Sequence, residues 1–246
     1  YPPKDIVLAR IRRTIELSED RQIIRSTERD PLTGLYNRDF FYSYAVSFDQ
    51  HHKDVAMDAI VLDINHFHLI NERYGRAYAD LVLKHIAEHL RDLVQHSSGM
   101  VCRREADTFL LYCPHRSSYE DILAAAYEGA SAESSPERIR LRLGVYPSVD
   151  KDTDIEQRFD RAKTAADTIR SNYTQNVAVY DSALHELELF ADQLTEEFEH
   201  AIREHQFNVY YQPKYDVRGP EPVLASAEAL VRWNHPRLGF IRPDVF

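Results

Sequence analysis

The chain has 246 residues, 43% hydrophobic and 28% charged, enough for one large globular domain or one and a half ordinary ones around a real core. Its formal net charge of −10 argues against a nucleic-acid polymer as partner, because a phosphate-tracking surface needs an excess of Lys and Arg. Two cysteines, Cys102 and Cys113, are too few for a disulfide framework and read as buried free thiols. With no run near the ~18 apolar residues of a membrane span and no signal-peptide pattern, the expectation is a cytoplasmic chain, cut from something longer.

Residues 4–28 read as a charged helix with apolar positions Ile6, Val7, Leu8, Ile11, Ile15 and Ile24. Its imperfect heptad leaves two readings open, a coiled-coil connector from an upstream sensor or a solvated cap on the next domain. Asp30-Pro31 with Gly34 is turn chemistry, and Asn37 is a good N-cap for a helix over "RDFFYSYAVSF". "DVAMDAIVLDI" predicts a buried strand ending near Asp63. Two helices broken around Gly75 follow, the second turning Leu81, Leu83, Ile86, Leu90 and Leu93 to its apolar side. His85 and His89 on that helix read as a solvated face, since no third zinc ligand accompanies them. Next comes a hairpin, with strand at Cys102 and from Phe109 to Tyr112 and a charged turn through Arg103, Arg104, Glu105, Ala106 and Asp107.

A helix near 118–130 leads to "RIRLRLGVYPS", whose strict alternation predicts a half-buried strand. "DIEQRFDRAKTAADTIRSN" predicts a helix and "VAVYD" a short closing strand. From about Ser182 a new unit opens with a long helix, then strands "FNVYYQPKYDV" and "PVLASAEALVRW" around the turn "RGPEP". Tyr210 and Tyr211 straddle two strand faces, one ring expected in the core and one at the surface. Strands and helices mix throughout, so the fold class is α/β (α+β), divided as a connector 1–29, a domain 30–181 and a second unit 182–246.

"DPLTGLYNRDFF", "LDINHFHLINERYGRAYADLVL", "EADTF" and "DRAKTAADTIRSNYTQNVAVYD", in that order, resemble the landmarks of a GGDEF domain, the diguanylate cyclase family. "YYQP" and "AEALVRWNHPRLGFIRPDVF" resemble the start of an EAL domain, the cyclic-di-GMP phosphodiesterase family, with Glu228-Ala229-Leu230 as its name-giving tripeptide. The resemblance implies an adenylyl-cyclase-like fold, a central mixed sheet flanked by helices, followed by the opening helix and strands of a TIM-like barrel. Some 65 residues cannot close an eight-stranded barrel.

It also implies chemistry, in which a homodimer aligns two GTP molecules and each 3′-hydroxyl attacks the other's α-phosphate with the help of Mg²⁺ or Mn²⁺. Asp63, with the carbonyl of Ile64, and Asp107 match the family's metal-binding positions. Asn71 and Asp80 match the pair that reads guanine. Glu105 and Ala106 stand where the family has two glycines, Thr108 where it has a glutamate, and Phe109 is retained as core. His68 stands where a phosphate-contacting lysine is usual, Asn65 where a second aspartate is usual, and "HSSG" (96–99) where an inhibitory product site is usual. These departures imply a lost cyclase. The bound state open to it is GTP with a metal, and degenerate members coupled to an EAL domain sometimes regulate that neighbour. A residual active cyclase and a ligand-free dimerisation scaffold are the alternatives. In the EAL part, Glu228 matches a metal ligand, and Gln212 and Arg232 match cyclic-di-GMP contacts. One glutamate cannot assemble a two-metal site, so only a complete EAL domain would bind and hydrolyse that molecule.

Overall fold

Eight residues, Met57–Ile64, form strand β1, and every one of them is buried. Burial on both faces marks a strand covered by helices above and below. In the computed structural model, which describes residues 28–95, 97–130, 139–172 and 174–246, β1 is the middle strand of five. The others are β2 (Met100–Glu105), β3 (Thr108–Pro114), β4 (Leu141–Tyr146) and β5 (Val177–Val179), in the order β2-β3-β1-β4-β5. The pairings are antiparallel except β4–β5, which is parallel, so the sheet is mixed, as expected. The connector expected over 1–29 lies outside the described residues, apart from its last two.

Alternate residues of β1 feed two cores, as the two-residue period of a strand requires. Ile60 and Leu62 pack with Leu83, Ile86 and Leu90 of α3 (Arg76–Gln95) and with Ile122 and Ala126 of α4 (Glu120–Ala130). Ala59 and Val61 pack with Phe41 and Ala45 of α1 (Arg38–His51) and with Phe159 and Ala162 of α5 (Ile155–Thr168). Asn37 caps α1 by accepting from the Phe40 amide at 2.9 Å. Helix α2 (Phe67–Tyr74) ends at Gly75, whose φ of +81° lets the chain turn sharply and restart as α3.

Some expectations need correction. Leu81 is exposed on α3, whose inner side is instead Ala79, Val82, Leu83, Ile86, Ala87, Leu90 and Val94. The hairpin turn is shorter than expected, since β2 runs on through Arg103 and Arg104 to Glu105 and only Ala106 and Asp107 lie between the strands. Strand β4 is buried on both faces, because Leu141, Leu143 and Val145 pack into the core under α3 and α4 while α5 closes over the other side. Gly144 explains how α5 reaches it. A Cβ there would stand 1.9 Å from the Ala162 carbonyl oxygen, so strand and helix meet backbone to backbone.

The chain divides into two compact units, one ending at Tyr180 and one from Asp181 to Phe246. In the second, α6 (Ser182–Arg203) is followed by an antiparallel sheet of β6 (Phe207–Asp216), β7 (Val223–His235) and β8 (Gly239–Ile241). Trp233 is fully buried among Leu194, Ala201 and Ile241, and its Nε1 donates to Gln206 at 2.9 Å. Beside it, His235 Nδ1 lies 3.1 and 3.0 Å from the amides of Arg237 and Leu238. Accepting there places the ring proton on Nε2, which donates to Glu197 at 2.6 Å. Tyr210 and Tyr211 are both exposed, contrary to expectation, because this sheet packs apolar residues only near Trp233.

Candidate functional site

β1 delivers Asp63 and Ile64 to its end, and the chain then turns through His66, at φ +57°, into α2. The β2–β3 turn lies beside that end, because Asp63 pairs with Thr108 across the ladder. Together they border a cleft of about 670 Å³. Asp63, Ile64, His68, Asn71, Asp80, Glu105, Ala106, Asp107 and Thr108 all line it, so the topology brings the expected set together. Phe109 is wholly buried in the core behind them.

The turn keeps an unusual backbone. Ala106 has φ +43°, in the left-handed region that glycine adopts freely and alanine does not. Its carbonyl accepts from Arg103 Nε at 2.9 Å and Nη2 at 2.5 Å, and Arg103 is also 3.4 Å from Asp30. The turn thus has a glycine-like shape without glycine, held by Arg103. Glu105 is exposed at the turn, and Thr108 donates its hydroxyl to Asp63 Oδ1 at 3.4 Å.

Asp63 is only 6% exposed and its second oxygen is occupied. Arg142 stands directly opposite in the β1–β4 register and bonds Oδ2 through Nη2. Lys163, from α5, places Nζ 3.4 Å from the same oxygen and 3.2 Å from Asp167. Burial pushes the Asp107 carboxyl above its ordinary range, and the charge of Asp63 adds to that, while Lys163 and Arg142 oppose it. Across the cleft, Asn71 donates to its own helix at the Phe67 carbonyl, 3.4 Å away. Asp80 is a third exposed and 4.0 Å from Arg76.

Asp63 is not free for a divalent metal as it stands, because both its oxygens have partners, two of them cations. Sequence reading missed Arg142, Lys163 and Arg103. The alternation of "RLRL" hints at a polar strand face, but only the pairing with β1 shows that Arg142 lies opposite Asp63.

In the second unit, Gln212 lies opposite Glu228 and Asn208 opposite Arg232, so Gln212, Glu228 and Arg232 share one sheet face. Trp233 and His235 lie on the other. Glu228 is exposed and ion-paired with Lys214 at 2.8 Å. No described helix is long and apolar enough to cross a membrane.

Comparison with known proteins gives the family and the fold. Residues 27–176 match the family described as diguanylate cyclase, GGDEF domain, and residues 195–246 match the EAL domain. Cyclic di-GMP phosphodiesterase NbdA of Pseudomonas aeruginosa is 26% identical over 228 residues, covering 88% of this chain and 28% of that protein. The chain spans about a third of the length of the curated relatives it matches. The S helix-GGDEF-EAL structure of Vibrio cholerae LapD, bound to c-di-GMP, superposes with a TM-score of 0.60 at 14% identity, over 91% of this chain and 53% of that one. The coiled coil and GGDEF domain of Caulobacter crescentus DgcB, in complex with c-di-GMP, gives 0.56 at 20% identity, over 71% and 96%. At such identities the likeness is one of fold.

Proposed function

The chain belongs to the diguanylate cyclase GGDEF family and runs on into an EAL domain, and on that premise we propose that its GGDEF unit binds a guanine nucleotide without converting it. The bound state then governs the EAL part of the same cyclic-di-GMP signalling protein, with homodimerisation through the GGDEF unit or the connector segment before it.

The observation that carries this reading is the β2–β3 turn. It presents Glu105 where a triphosphate would need close neutral backbone, a methyl group at Ala106, and a hydroxyl at Thr108 already directed to Asp63. Synthesis needs preorganised charge at the reacting phosphate, and losing one such group costs about 10²–10³ in rate. Several losses in one site are not additive, but they act on the same step. Binding makes smaller demands. Asp80 can accept both Watson–Crick-edge protons of guanine, Asn71 can donate and accept, and Arg142 and Lys163 offer positive charge to phosphates. In the EAL part, Gln212, Glu228 and Arg232 supply one portion of a cyclic-di-GMP site, whose remaining groups a complete EAL domain would provide.

Incubation of the chain with GTP and Mg²⁺ or Mn²⁺ should give no cyclic-di-GMP above a no-protein control, while calorimetry detects GTP binding. Asp80→Ala should weaken GTP about tenfold or more, and bring it level with ATP, since a lost charge-assisted hydrogen bond is worth that much. Appearance of product would overturn the reading. Phosphodiesterase activity of the full-length protein with and without GTP tests the regulatory half.

A further inference from the structure

Arg142 is almost wholly buried, yet its fork is only partly used. Nη2 bonds Asp63, whereas Nε and Nη1 are buried without a hydrogen-bond partner. Nη1 comes no closer than 3.6 Å to Asp167, beyond hydrogen-bond reach. Buried donors in a folded protein are nearly always satisfied, so two on one guanidinium lining a cleft call for an acceptor. A guanidinium with unused N–H donors suits a phosphate, whose oxygens accept charge-assisted hydrogen bonds from it. Lys163 stands on the same side, sharing Asp63 Oδ2 with Arg142. Asp63 thus behaves as the fixed counter-ion of two cations, in the place where the family resemblance implies a metal.

We propose that Arg142 and Lys163 take over the part of that metal, receiving the phosphate oxygens of the nucleotide directly, so that nucleotide binds without a divalent cation. The proposal rests on the nucleotide reading above. Its metal half stands on the ion pairs of Asp63 alone.

Two measurements on the full chain test it. In the first, Mn²⁺ alone is titrated and the free ion followed by electron paramagnetic resonance. No saturable site that Asp63→Ala abolishes is expected; such a site would overturn the proposal. In the second, GTP is titrated by calorimetry in EDTA and in excess Mg²⁺. Affinities within roughly threefold are expected, whereas weakening of about tenfold or more in EDTA would overturn metal independence while leaving nucleotide binding intact. Absence of binding in both buffers would overturn the nucleotide reading itself. Arg142→Ser should lose about tenfold or more of its GTP affinity in EDTA and gain an Asp63-dependent Mn²⁺ site. Unchanged affinity in that variant would sink the role of Arg142, and if it fails to fold, the two wild-type titrations decide.

Discussion

Ala106 adopts φ +43° with a side chain that disfavours it, and the two bonds from Arg103 hold it there. Replacing it by glycine should relieve the left-handed penalty, which outweighs the extra freedom of glycine in the unfolded chain. The expected gain is about 0.5–1 kcal/mol, read as a higher denaturant midpoint with unchanged slope. A loss of stability would mean that the turn is not strained. The residue types around Ala106 were legible from the motif, and so was their gathering in one cleft. What each touches was not. Thr108 could be read as an acid lost, but its bond to Asp63 depends on the β1–β3 register. Arg142 looked like the polar half of an alternating strand, and only a partner 79 residues away makes it a buried cation.

At the level of elements, strand and helix identities followed from periodicity, with Asn37 and Gly75 marking boundaries as their chemistry dictates. Burial followed less well. Alternation in "RIRLRLGVYPS" predicts one open face, but α5 closes over β4 at Gly144, where any side chain would meet helix backbone. Gly144→Ala should therefore be among the most damaging small substitutions in the chain. The Cβ would lie 1.9 Å from the Ala162 oxygen and 2.6 Å from the Ala166 nitrogen, and backbone cannot rotate away as a side chain does. A loss of about 3 kcal/mol is expected, at the upper end for overpacking, with the unfolding midpoint as the measurement. A cost under about 0.5 kcal/mol, typical of a neutral surface change, would show that α5 is loosely seated.

Across the whole molecule the two units carry separate reporters. The chain has a single tryptophan, Trp233, buried in the second unit, and its two cysteines are buried in the first. Burial pushes the Cys113 thiol up to about 11, and Cys102 is raised further, so neither should react with a thiol reagent near neutral pH before unfolding. The sign runs one way. A thiol whose ionisation is harder in the folded state leaves stability intact at neutral pH and erodes it as the solution passes from the ordinary thiol value, 9.0, towards 11. Titrating denaturant at neutral pH should thus give a tryptophan-fluorescence transition for the second unit and a thiol-labelling transition for the first, each with its own midpoint. Labelling in the absence of denaturant would contradict the burial of both thiols. The existence of two units was legible in the tandem motifs. The exposure of both Tyr210 and Tyr211 was not, because it depends on how little of that sheet packs near Trp233.

The cation beside Asp63 is tethered by the polypeptide. A metal occupies its site by mass action and comes and goes with its supply, whereas a guanidinium on β4 is present once in every folded molecule at fixed stoichiometry. If nucleotide binds as proposed, a receptor built this way would have one input where a metal-dependent one has two. Its occupancy would follow nucleotide level alone, indifferent to swings in free divalent ions.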